Sequence, residues 1–149
     1  MSIVAIFIAI EICVFCFTGR HSIDSSVDRL FSDVDLDVIT QIDSTVYMNK
    51  YGMYIVPKNH IRPAIHAIKT GRVWEQSTLS FVKKNYLQGT DIIHAGAYFG
   101  DMLPFYSNLV GHSNTVWAFE PIQLHFICAE MTRELNGLQN VVLQHGILA

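Results

Sequence analysis

Charge is scarce in this chain. Charged residues make up 15% of its 149 positions, and 10 basic against 13 acidic residues leave a formal net charge of −3. No basic face can be assembled from so few cations, which excludes nucleic acid as a partner on charge grounds. Cysteine is scarcer still, at Cys13, Cys16 and Cys128 only. That set is too small and too scattered for a disulfide framework. Cys13 and Cys16 have the Cys-x-x-Cys spacing of redox and zinc sites, yet no second ligand pair and no turn accompany them. They are read as small apolar filler. Calcium is excluded by two missing residues. Asp33-Val34-Asp35-Leu36-Asp37 has the opening of a calcium loop, but the sixth and twelfth positions, which need Gly and Glu, hold Val38 and Ser44. No metal site is expected.

Apolar residues, by contrast, are half of the chain, enough for one domain with its own core. The run Ile3 to Phe17 is apolar apart from Glu11. It has no Lys or Arg before it and no small-x-small cleavage site after it, so it does not read as a secretory signal. It is also slightly shorter than the roughly 17–20 residues that a bilayer needs. Residues 1–20 are therefore an apolar leader with two readings. One is a signal-anchor, with Arg20 just beyond it, which makes a membrane a partner through residues 3–17. The other is a buried helix or a mis-started reading frame. Localisation stays open between membrane-anchored and cytoplasmic. Residues 21–46 form an acidic approach segment carrying Asp24, Asp28, Asp33, Asp35, Asp37 and Asp43.

From residue 47 onward the punctuation becomes regular. Thr45 to Pro57 is rich in β-branched and aromatic residues around Asn49-Lys50 and Gly52, which predicts a hairpin that Pro57 ends. Asn59 is placed to cap a helix with Ile61, Ala64, Ile65 and Ile68 on its apolar face and Gly71 at its end. A second helix is expected from about Glu75 to Tyr86, with Leu79, Val82 and Tyr86 on one side. Ile92 to Ala95 is a short strand, read as buried. Asp101 is placed to cap a helix running to Val110, with Pro104 in its first turn and Gly111 closing it. Thr115 to Phe119 is the next strand. Ile122 to Asn136 is a helix whose stripe is Leu124, Ile127, Cys128, Met131 and Leu135, and Gly137 ends it. Val141 to Leu143 opens a third strand. Strand, helix, strand, helix, strand predicts an α/β fold with a parallel sheet and right-handed crossovers.

Ligands in such sheets bind at the carboxyl ends of the strands. Two features fall there. Gly96-Ala97-Tyr98-Phe99-Gly100 follows the first strand, and glycine lets backbone turn sharply and approach a ligand closely. Glu120, with Pro121 after it, lies at the tip of the second strand, where a carboxylate can accept hydrogen bonds from both hydroxyls of an adenosine ribose. It is expected to be exposed. The spacing of about 20 residues from Gly100 suits ribose binding. A dinucleotide site would need a second glycine where Tyr98 stands, and that side chain would crowd a pyrophosphate. S-adenosylmethionine has no phosphate and is the expected cofactor. A nicotinamide-dependent oxidoreductase is the less favoured reading.

The segments Gly89 to Gly100, Val116-Trp117-Ala118-Phe119-Glu120-Pro121 and Glu134 to Val141 together resemble the FkbM-type methyltransferases, as does the lead-in Gly71-Arg72-Val73-Trp74-Glu75. The resemblance covers roughly residues 47–149. It implies a Rossmann-like class I methyltransferase sheet, with an N-terminal hairpin and helices before it and the cofactor-binding half beginning near residue 90. It also implies O-methyl transfer from S-adenosylmethionine to a small-molecule or glycan hydroxyl. Gly96, Ala97, Tyr98, Gly100, Asp101, Glu120 and Pro121 become the candidate cofactor residues. Two departures stand out. His94 occupies a position that is usually acidic in the family, and Asp101 is a substitute carboxylate. The sheet also looks truncated after its third strand, which would leave the edge of Ile92–Ala95 open to self-association. No residue qualifies as a catalytic base. The alternative in a different class is a non-catalytic cofactor-binding or assembly module.

Overall fold

Asn49 closes the turn between the first two described strands. Its Oδ1 accepts the backbone N–H of Tyr51 at 2.9 Å and the Tyr54 hydroxyl at 3.1 Å. Strands β1 (Ser44–Asn49) and β2 (Gly52–Pro57) pair antiparallel across this turn, from Ser44 opposite Pro57 to Asn49 opposite Gly52. The computed structural model describes residues 42–147. The apolar run at residues 3–17, Cys13, Cys16 and Asp24 to Asp37 lie outside the described residues. Among those described, no helix is long and apolar enough to cross a membrane.

Helix α1 (Pro63–Lys69) follows the hairpin and buries Ala64, Ile65, Ala67 and Ile68. It starts later than the sequence suggests. Asn59 is not its cap; the Asn59 side-chain amide lies 3.5 Å from the Asp43 carboxylate instead. Proline at the first helical position presets its own φ and forces the residue before it out of helical geometry, so Arg62, extended at φ −132°, marks the boundary. Helix α2 (Gln76–Asn85) buries Leu79, and Val82 and Tyr86 pack beside it against the same core.

The remaining elements are β3 (Ile92–Ala95), α3 (Leu103–Val110), β4 (Val116–Glu120), α4 (Gln123–Leu135) and β5 (Val141–His145). The three strands are parallel in the order β3-β4-β5, with Ile92 opposite Val116 and Val116 opposite Val141. This is a Rossmann-like βαβαβ unit of an α/β fold, as the alternation predicts. Asp101 does not cap α3. Met102 stands at the N-cap, without a side-chain cap bond. Two tight turns, Gly100 N–H to Ala97 O and Leu103 N–H to Gly100 O, use up the residues in which a cap would sit.

One face of the sheet is covered. Val116, Ala118 and Val141 pack against Leu103, Tyr106 and Val110 of α3, Ala129 of α4 and Leu79 of α2. The other face is open among the described residues. Ile93, Trp117 and Val142 are opposite one another in register and are 64%, 38% and 37% exposed. The first strand is therefore not buried, as its run of apolar residues suggested, but half-covered, with Ile92 and His94 turned to the core side. It is also one of the two edge strands of the described sheet.

Candidate functional site

The loop after β3 carries the sequence-predicted glycines, and they do different jobs. Gly96 has a φ of +79°, and a Cβ built there would meet nothing within 4 Å. Its N–H and that of Ala97 both donate to the Phe119 carbonyl, at 2.8 and 2.9 Å, which ties the loop to the tip of β4. Gly100, at φ +83°, is a packing glycine. A Cβ there would stand 3.1 Å from Thr132 Cγ2 and 3.2 Å from Leu103 Cδ1. Between them Tyr98 takes a left-handed conformation at φ +52°, a state costly for a bulky side chain and often found at functional sites. Its ring rests on Phe99 and on His125, with centroids 4.7 and 4.4 Å away.

The Tyr98 backbone N–H points at Glu120. It donates to Oε2 at 2.8 Å, while the Ile122 N–H donates to Oε1 at 2.9 Å. Glu120 is only 4% exposed. The expectation of an exposed carboxylate is thus corrected. The tip of β4, the glycine loop and the first residue before α4 converge on it, so two backbone donors replace water. Each carboxylate oxygen has two lone pairs, which leaves acceptor capacity on both for a ligand. Pro121 is exposed, and its carbonyl is 3.1 Å from His145 Nε2.

Glu120 opens onto a cavity of about 390 Å³ lined by Arg62, Pro63, Ala64, Trp74, Tyr98, Ile122 and His125 as well. Of the predicted residues, Tyr98 and Glu120 meet at this cavity. Gly96 and Ala97 hold the loop behind it, and Gly100 packs under α4. Asp101 stands apart from the cavity lining. Loss of water around its carboxyl, with the Glu75 carboxylate nearby, pushes its pKa up to about 7. His94 lies at the tip of β3, edge-on to Tyr106 at 5.1 Å. Burial draws its pKa down against the opposing pull of Glu120, and its Nε2 is buried without a partner.

Arg62, Trp74, Ile122, His125 and its neighbour His60 were not foreseen. His125 lies in the first turn of α4, shortly after Glu120, a spacing visible in the sequence. Arg62, Trp74 and His60 arrive from the hairpin side of the chain, which no local pattern reveals. Among the described residues, no group of His, Cys, Asp and Glu is arranged to hold a metal ion.

No family model matches this sequence, and no curated protein matches it. Solved structures do. The chain is similar to a SAM-dependent O-methyltransferase from Thermotoga maritima, at 23% identity over 67% of this chain and 39% of that one, with a TM-score of 0.45. It is similar to a SAM-dependent methyltransferase from Aquifex aeolicus, at 17% identity over 75% of this chain and 47% of that one, TM-score 0.45. A third likeness is to a putative rRNA-methylase from Clostridium thermocellum, at 17% identity, 58% of this chain, 42% of that one and TM-score 0.43. The chain spans about 39–47% of the lengths of these structures.

Proposed function

We propose that this chain binds the nucleoside of S-adenosylmethionine and belongs to a methyltransferase of the FkbM type, acting on a sugar or natural-product hydroxyl. The observation that carries the reading is the Glu120 carboxylate, buried at the carboxyl end of β4, fixed by the Tyr98 and Ile122 N–H groups and still able to accept two hydroxyls. A ribose diol presents two such hydroxyls. The open space at Gly96 supports the same assignment, because a ligand chain can pass over backbone there. Tyr98 stands in the glycine loop where a dinucleotide site needs its second glycine, which supports adenosylmethionine over NAD.

In this reading the protein does little covalent chemistry. Methyl transfer depends on holding an acceptor oxygen in line with the sulfonium methyl in a site that excludes water. Calorimetric titration with S-adenosylmethionine, S-adenosylhomocysteine and NAD tests the assignment. Binding of the adenosyl ligands without NAD is expected, and NAD binding without them overturns it.

The open sheet face supports a second reading, an assembly module. Ile93, Trp117 and Val142 make an apolar row beside an edge of β3 that has no partner strand among the described residues. Such an edge pairs readily with another chain, a second copy included. Sedimentation of the wild type beside Ile93→Lys distinguishes the two. Association abolished by the lysine, with no adenosyl binding, favours assembly.

A further inference from the structure

His125 and His60 form a connected pair beside the carboxylate. His125 Nδ1 lies 3.6 Å from Glu120 Oε1, and His125 Nε2 lies 3.4 Å from His60 Nδ1. The two rings stand edge-on at 5.3 Å. The His125 side chain is 12% exposed and that of Glu120 5%. The separation from Oε1 exceeds a good hydrogen bond, so a neutral ring borders that oxygen without consuming its remaining lone pair. An imidazolium would be drawn in to a charge-assisted bond of about 2.7–2.9 Å.

We propose that His125, buttressed by His60, is a positioning residue for Glu120. As a neutral ring it leaves Oε1 free for a ribose hydroxyl, and as an imidazolium it takes that oxygen for itself. This inference rests on the nucleoside reading above. It makes ligand affinity depend on the charge of a residue that need not touch the ligand.

The groups facing His125 come from four elements. Glu120, at the tip of β4, favours the charged ring. His60, after β2, and Arg62, before α1, oppose it. Tyr98 from the glycine loop presents its ring. Cys128 on α4 itself is uncharged, since burial pushes its thiol up to about 12. Burial of His125 is the largest influence, and the pKa lies below the ordinary value of 6.5. The acidic loss of affinity therefore falls below that pH, while the site is fully competent near neutrality.

The test is calorimetric titration of the full chain with S-adenosylhomocysteine, which lacks the sulfonium charge, between pH 5 and 8. Circular dichroism at each pH monitors folding. In the wild type, affinity should be level near neutrality and fall at acid pH, approaching about tenfold per pH unit below the His125 pKa, as linkage to one proton requires. His125→Gln should abolish that acid limb. His60→Gln should move it to higher pH, because one opposing group is gone. A flat wild-type profile, or an acid limb that survives in His125→Gln, overturns this inference alone. Absence of binding at every pH overturns the nucleoside reading and this inference with it. If His125→Gln does not fold, His60→Gln decides, and an unmoved limb overturns the proposal.

Discussion

Asn136, the C-cap of α4, hydrogen-bonds Met53 in both directions. Its Oδ1 accepts the Met53 N–H at 2.9 Å, and its Nδ2 donates to the Met53 carbonyl at 2.6 Å. One turn earlier, Thr132 Oγ1 accepts the Ile55 N–H at 3.0 Å. Two side chains thus act as the missing neighbour of β2 and join the hairpin to the βαβαβ unit. The contact is close: a Cβ on Gly52 would collide with Asn136 Oδ1.

Removing this clamp should destabilise the chain without altering the cavity chemistry. Asn136→Leu leaves both Met53 backbone groups without that partner and should cost about 2–6 kcal/mol, at about 1–3 kcal/mol per buried unsatisfied group. Thr132→Val keeps the shape and should cost about 1–3 kcal/mol. Urea unfolding of each variant measures both. A cost near zero for Asn136→Leu would mean that water or the second half of the hairpin replaces the clamp.

Glu120 should reveal itself in stability as well as in binding. Glu120→Ala strands the Tyr98 and Ile122 N–H groups, which donate to it at 2.8 and 2.9 Å. Hydrogen bonds to a charged group contribute about 1.5–3 kcal/mol, so the melting temperature should drop by several degrees and adenosyl affinity should be lost together with it. An unchanged melting temperature would contradict the burial of this carboxylate.

The alternation of short apolar runs with glycine-closed helices made the βαβαβ frame legible, because each element is specified locally. Gly111 and Gly137 end α3 and α4 where expected, with φ of +72° and +62°. Glu120 was legible as a residue at a strand tip, but its burial was not, since that depends on two N–H groups from separate loops meeting it. Asn136 was visible only as the end of a helix. Its partner Met53 is 83 positions away, and no periodicity records such a contact. The same holds for His60, which reaches His125 across 65 positions. The misplaced starts of α1 and α3 have a local cause. Asn59 and Asp101 are good capping residues by type, but Pro63 and the tight turns after Ala97 fix where helical geometry can begin.

The two loop glycines should respond differently to alanine. Gly96→Ala places a Cβ in open space at φ +79°, so the cost is the left-handed backbone alone, about 1–2 kcal/mol. Gly100→Ala carries the same backbone strain and adds contacts at 3.1–3.2 Å with Thr132 and Leu103. Overpacking of that kind costs about 1–3 kcal/mol more. Denaturant midpoints should therefore fall in the order wild type, Gly96→Ala, Gly100→Ala. Ligand affinity in the folded fraction should suffer more in Gly96→Ala, because that glycine borders the space over which the ligand would pass. The reverse order of midpoints would show that the loop relaxes at Gly100 and not at Gly96.

Asp101 should give the chain a falling stability between weakly acidic and neutral pH. Desolvation and the Glu75 carboxylate raise its pKa from 3.8 to about 7 in the folded chain. Between those two values the folded state holds a proton that the unfolded state has released. The unfolded state then gains stability relative to the folded state as pH rises, and the penalty is complete above about pH 7. A shift of about three units corresponds to a penalty on the order of 4 kcal/mol. Asp101→Asn mimics the protonated form. It should leave stability near pH 4 almost unchanged and raise it at pH 8, so the variant's profile should be flatter than the wild type's across this range. Thermal unfolding of both proteins from pH 4 to 8 measures the difference. Parallel profiles would show that the Asp101 carboxylate is ionised in the folded chain and is stabilised by a donor at that position.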